Sequence, residues 1–269
     1  MNKEKMIELF SLKGQVAIVT GGAGRLGYQH IKALNYAGAT PISFDIIQNP
    51  KLADIAESQM IVDITNQKDV KKAVDLVVSK YDGIDILINN AAFNPKVGKD
   101  ADKTGYDCWA PHELYSEALW KKEFDIGLNG AHFCTQAVAK YMIQQNSGSV
   151  INIASTSAIT APSHKKYKPG KFKSAAYPVV KTALLGLTRS WASYFASVAS
   201  RVRVNAVCFG AVNFGSMEPE FVKKLGSRNM LGRPAQPDEY QGILIFLCSK
   251  AASFITGSTL IADAGQTAW

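Results

Sequence analysis

A chain of 269 residues, 47% hydrophobic and 19% charged, has the balance of a globular protein with one sizeable buried core. No apolar run approaches the ~20 residues that a membrane-spanning helix needs, and the charged stretch Met1–Phe10 lacks the apolar region of a secretory leader. The formal charge of +8 is not organised as basic residues interleaved with aromatics, so no nucleic-acid partner is expected; an anion-attracting site or a solvated basic surface accounts for it.

Short β-rich runs alternate with helical stretches, the pattern of a parallel α/β sheet. The predicted strands are Gln15–Thr20, Thr40–Phe44, Met60–Asp63, Ile84–Asn89, Ser149–Ala154, Arg203–Phe209 and Thr259–Ala262. Predicted helices between them include Gly27–Ala37, Gln67–Tyr81, Ala131–Gln145 and Ala176–Ser197. No repeat, low-complexity tract or linker interrupts the alternation, which predicts a single domain over residues 1–269. Two connections are long, near 93–118 and 157–175. Both leave from the carboxyl edge of the sheet, where ligands bind in such folds. Cys108, Cys134, Cys208 and Cys248 form no C-x-x-C pair and the histidines have no ligand spacing. This argues against a metal site and fits a reducing, cytoplasmic setting.

The first strand runs into Thr20-Gly-Gly-Ala-Gly-Arg-Leu-Gly27. Glycines at a strand-to-helix turn let the backbone approach a pyrophosphate, which the helix N-terminus attracts, although they also serve close helix–sheet packing. Gly21, Gly24, Arg25, Leu26 and Gly27 are therefore candidate dinucleotide contacts. Asp45 closes the second strand, 18 residues beyond Gly27. A carboxylate there accepts from ribose hydroxyls and repels a 2′-phosphate, favouring NAD over NADP. Arg25 is a counter-signal, since an arginine can neutralise a phosphate, and helix capping is the alternative role for Asp45. Asp63, with Ile64 beside it, is a candidate adenine contact or a cap.

Tyr177 and Lys181 stand one helical turn apart on one face, with Ser155 upstream at the end of Val-Ile-Asn-Ile-Ala-Ser. Free tyrosine, with a pKa near ~10, is a poor base at neutral pH. A lysine cation beside it and a cationic ring on its other side favour the phenolate, giving a proton donor or acceptor suited to alcohol and ketone chemistry. Between Ser155 and Tyr177 lie Lys165, Lys166, Lys168, Lys171 and Lys173. Lys165 and Lys166 are candidate contacts to a phosphosugar or sugar nucleotide, a solvated flexible loop being the alternative. The other long connection carries Phe93, Lys96, Tyr106, Trp109 and His112. Its aromatics can stack on a sugar ring or pack the lid, and packing is preferred for Trp109.

The order of these motifs resembles the short-chain dehydrogenase/reductase family over nearly the whole chain. The matching residues are the glycine turn, Asn89-Asn90-Ala91-Ala92, Ser155, Tyr177-x-x-x-Lys181, Arg203-Val-Asn-Ala206, Leu231–Tyr240 and the Phe254…Gly265 stretch. The resemblance implies a Rossmann-like, doubly wound, seven-stranded parallel sheet, usually assembled as a homotetramer. It implies that Tyr177 is the acid/base and that Lys181 grips the nicotinamide ribose and lowers the tyrosine pKa. Ser155 would hydrogen-bond the reacting oxygen. Asn90, Ala91, Gly210 and Val212 would line the cofactor, and Phe214 the substrate side, where the family often has a threonine.

Departures from the family pattern are specific. Counting back from Ser155, the family's helix asparagine falls at Gly127. Asn129 is turned about 200° away along a helix, so the proton relay needs water or another group. Phe209 stands where the family has proline, and Gly21, Gly24 and Gly27 have the spacing of the longer sugar-nucleotide branch. Finer motifs, including Asn94-Pro-Lys96, Gly127–Ala131, Leu247-Cys-Ser249 and the Trp269-terminated tail, resemble flagellin-modification and nonulosonic (legionaminic-type) acid pathway oxidoreductases. The expectation is an NAD-dependent oxidoreductase acting on a secondary alcohol or ketone of a sugar-like substrate, phosphorylated or otherwise anionic. The alternatives are a reductase of a small ketone or acyl carbonyl, and a cofactor-binding scaffold without catalysis.

Overall fold

The computed structural model describes residues 2–94 and 107–269, so Lys96 and Tyr106 lie outside the described residues. Seven strands, β1 (Val16–Thr20), β2 (Thr40–Asp45), β3 (Ser58–Ile61), β4 (Ile86–Asn89), β5 (Gly148–Ser155), β6 (Val202–Phe209) and β7 (Thr259–Ala262), form one sheet. Their order is β3-β2-β1-β4-β5-β6-β7 and the pairs are parallel. The expected doubly wound Rossmann-like sheet is present. β1 and β4 are buried throughout, which is why they read as unbroken apolar runs.

The helices are α1 (Lys3–Phe10), α2 (Arg25–Tyr36), α3 (Gln67–Tyr81), α4 (Glu117–Phe124), α5 (Gly130–Gln145), α6 (Ala176–Val198), α7 (Pro219–Gly226) and α8 (Gln241–Cys248). One apolar layer joins the sheet to α3, α5 and α6 through residues such as Val74, Val138 and Phe195. The other joins it to α2 and α8 through Ile31, Leu34, Leu244 and Leu247. The chain winds outward from β1 to β3, then returns to the other side of β1 at β4. This reversal opens a crevice beyond the carboxyl ends of β1 and β4, where Gly21 and Asn90 leave the sheet.

Three local findings bear on the site. β3 begins two residues earlier than predicted, so Asp63 lies beyond the strand rather than at its end. A π-helical turn, Asp125–Asn129, joins α4 to α5. The long connections brace each other: the Phe172 N–H donates to the Trp109 carbonyl at 3.0 Å, the Trp109 and Tyr167 rings lie 5.3 Å apart, and Lys171 meets Asp107 at 3.7 Å. Among the described residues no helix is long and apolar enough to cross a membrane.

Candidate active site

A cleft of about 1000 Å3 runs along the carboxyl edge from the glycine turn to the start of α6. The turn is built for close approach, because a Cβ on Gly27 would fall 2.0 Å from the Gly21 carbonyl oxygen. α2 starts behind Gly24 with no side-chain cap, leaving its first amides to receive an anion. Gly21, Gly24, Arg25, Leu26 and Gly27 all line the cleft. Asn90 Nδ2 donates to the carbonyls of Thr20 (3.0 Å) and Gly21 (3.2 Å), so this side chain braces the turn while the residue, like Ala91, faces the cleft.

Asp45 also faces the cleft, its Oδ2 accepting from the Ala23 N–H at 3.0 Å. It caps no helix; Asn49 caps the following turn. Asp63 Oδ1 accepts from the backbone and hydroxyl of Thr65 at 2.9 and 2.7 Å, whereas Asn66 caps α3. Asp63 and Ile64 remain on the cleft wall. Arg25 Nη1 donates to Ser216 Oγ at 2.8 Å and its guanidinium lies 5.6 Å from the centre of the Phe214 ring. A glycine turn, an uncapped helix start and a carboxylate at the end of β2 together fit a nicotinamide dinucleotide.

At the other end, Ser155 closes β5 and Tyr177 and Lys181 sit on the first turns of α6, all three lining the cleft together with Gly210, Val212 and Phe214. Ser155 and Tyr177 face the same end of the cleft, and Ser155 acts to lower the Tyr177 pKa. Lys181 is buried, donates to the Ile153 carbonyl at 2.6 Å, and is brought down to about 8 by that burial. Its ammonium lies 5.8 Å from the Tyr177 ring centre. Burial raises the Tyr177 pKa, and Ser155 opposes that rise in part.

The lysine loop is not uniformly solvated. Lys165 is exposed and is not among the residues that line the cleft. The short helical turn His164–Lys166 sends neighbouring side chains in different directions, and Lys166 faces inward. Lys173 is the residue that sequence reasoning did not single out. Only 8% exposed, it places its ammonium 3.9 Å from the Tyr177 ring centre and donates to Asn94 Oδ1. Burial first, then Lys166 and Lys181, brings it down to about 7 against the opposing pull of Glu123. Burial and Arg228 bring Lys166 to about 8.

Glu123, also missed, is 2% exposed on α4. Its Oε1 accepts from Ser174 Oγ at 2.6 Å and from the Tyr115 hydroxyl, and burial raises its pKa. Nothing in the spacing of Glu123 or Lys173 marks them: contacts between the two long connections place Lys173, and Glu123 reaches the site from α4. Phe93 lines the cleft beneath the Lys122 ammonium, at 5.0 Å. Trp109 both packs on Tyr167 and lines the cleft. Asn129 Nδ2 donates to Asp125 Oδ1 at 2.8 Å on the exposed side, turned away as the helical offset requires. Among the described residues no group of three or more His, Cys, Asp or Glu could hold a metal ion.

Fold and site define an oxidoreductase of nicotinamide type. Residues 23–267 match the family model described as Enoyl-(Acyl carrier protein) reductase. The chain belongs to the short-chain dehydrogenase/reductase family, whose members here act on CH–OH groups and their ketones. It is 30% identical over 265 residues to the 3-oxoacyl-acyl-carrier-protein reductase FabG of Thermotoga maritima, covering 94% of this chain and 98% of that one. Its structure is similar to a gluconate 5-dehydrogenase from Burkholderia cenocepacia J2315 in complex with NADP and tartrate (TM-score 0.83, 26% identity, 98% and 99% of the two chains). It is also similar to NAD+-bound xylitol dehydrogenase (TM-score 0.79, 26% identity, 94% and 99%).

Proposed function

We propose that this chain is an NAD-dependent oxidoreductase that moves hydride between a nicotinamide and a secondary alcohol or ketone of a sugar-like, anionic substrate. The observation that carries the reading is the convergence of Ser155, Tyr177 and Lys181 on the wall of the cleft that starts at the glycine turn. A nicotinamide dinucleotide bound along that turn supplies or receives the hydride. The residues of the chain handle the proton. In oxidation the Tyr177 phenolate takes the hydroxyl proton while Ser155 holds the oxygen and the Lys181 ammonium favours the phenolate. In reduction the Tyr177 phenol, which burial keeps protonated, gives its proton to the carbonyl oxygen as hydride arrives at carbon.

Asp45, whose carboxylate faces the cleft, supports NAD, with Arg25, which also lines the cleft, as the counter-signal. The solved relatives carry NADP in one case and NAD+ in the other, so the carboxylate is the discriminating feature of this chain. The inward-facing Lys166 and Lys173 support an anionic substrate. The gluconate and xylitol relatives and the resemblance to the nonulosonic-acid subgroup support a sugar-like one. Family resemblance supports a homotetramer, and the four buried free cysteines support a cytoplasmic location.

The test is formation or loss of reduced nicotinamide with a panel of polyols, sugar acids, sugar phosphates and an acetoacetyl thioester, run with NAD and NADP. Turnover of an anionic sugar with NAD is expected. A preference for the acyl thioester, or for NADP, would overturn the reading.

A further inference from the structure

We propose that Lys173, with Lys166 and Arg228, forms an oxyanion subsite for a carboxylate or phosphate that the substrate carries beside the reacting carbon. This deepens the function proposed above and rests on reading the cleft as the substrate site. Lys173 is more than nine-tenths buried, lies on the cleft wall, and has its ammonium 3.9 Å from the Tyr177 ring centre. The phenol oxygen at the edge of that ring is the proton donor or acceptor. A group that touches Lys173 from the cleft is therefore a neighbour of the carbon whose oxygen meets Tyr177.

An ammonium has three donors. Among the described residues Lys173 uses its ammonium on one acceptor, Asn94 Oδ1. The nearby Glu123 directs its bonded oxygen to Ser174 and Tyr115 and makes no hydrogen bond to the lysine. Lys166 and Arg228 line the same wall and neither forms a salt bridge among the described residues. The three basic side chains line one cleft, Lys173 buried and Lys166 and Arg228 half-buried. Like charges lining one partly desolvated cleft repel one another, and an oxyanion that reaches them offsets this through charge-assisted hydrogen bonds.

The position is also fixed in advance. The Lys173 N–H donates to His164 Nδ1 at 3.1 Å, and His112 Nε2 lies 3.2 Å from the Lys173 carbonyl, so both long connections hold this residue.

Calorimetric titration of the enzyme–NADH complex with inorganic phosphate and, separately, with tartrate tests the subsite. Saturable binding of at least one anion is expected, weakened about tenfold or more in K173M and in K166Q and less in K173R, which keeps the charge. Lys168 is exposed and off the cleft, so K168A binds as the wild type does, and all variants bind NADH with unchanged affinity. Binding of phosphate alone assigns a phosphorylated substrate, and binding of tartrate alone a carboxylated one. Failure of the wild-type complex to bind either anion, or wild-type affinity in K173M, would overturn the proposal. Lys173-dependent binding without turnover of any panel member leaves the subsite standing and removes the activity reading instead.

Discussion

Val180 occupies the room that a side chain at position 127 would need: a Cβ built on Gly127 falls 2.5 Å from Val180 Cγ1. Gly127 is in the π-helical turn and Val180 is one turn beyond Tyr177, so α6 packs closely against the junction of α4 and α5. A side chain added at position 127 by one substitution therefore meets Val180.

Gly127→Asn should destabilise the protein by about 1–3 kcal/mol through overpacking. Gly127→Asn combined with Val180→Ala should recover a substantial part of that loss, because the two positions share one space. Denaturant unfolding of the two single variants and the double variant measures the coupling. Strict additivity would show that the junction yields elsewhere.

Tyr177→Phe keeps the ring under the Lys173 ammonium and removes only the hydroxyl. Turnover should fall by about 10²–10⁴ with NADH affinity unchanged, as expected when an interaction belongs to the proton-transfer step. Steady-state rates and fluorescence titration of NADH separate the two quantities. Turnover close to wild type would move the acid/base role to another group.

Asp45→Ala removes the carboxylate that faces the cleft beside Ala23. The ratio of kcat/KM with NAD to that with NADP should fall by about tenfold or more, since the repulsion of a 2′-phosphate disappears with the attraction for the ribose. Rates with both nucleotides at one substrate concentration series give the ratio. An unchanged ratio would mean that selectivity resides elsewhere.

The central strands were legible because burial on both faces leaves continuous apolar runs, as in Val16–Thr20 and Ile86–Asn89. β3 was misplaced by two residues because it is an edge strand whose residues are only partly buried, which weakens that signal. α8 was not predicted: its Gly-Ile-Leu-Ile-Phe-Leu-Cys run is apolar all round and shows no helical period. The Ser155, Tyr177 and Lys181 positions followed from ordered motifs. The difference between Lys165 and Lys173 did not, for in sequence they are two lysines of one loop. Only the contacts of His112 and His164 with the Lys173 backbone, made across the fold, decide which ammonium enters the cleft.

The charge state of that ammonium sets a pH dependence whose sign can be worked out. Lys173 lies at about 7 and Lys166 at about 8, so an oxyanion meets both as cations below about 7 and loses them as the pH rises through these values. The groups acting on Lys173 are Lys166 and Lys181, which lower its proton affinity, and Glu123, which raises it; Arg228 acts through Lys166. Glu123→Gln removes the raising contribution without changing size, so the decline in tartrate affinity should move to lower pH than in the wild type. Tartrate suits the measurement because carboxylates stay ionised over this range. Titrations of the enzyme–NADH complexes of both proteins at a series of pH values give the two limbs. A limb that stays in place, or moves to higher pH, would show that Glu123 does not hold Lys173 in its cationic form.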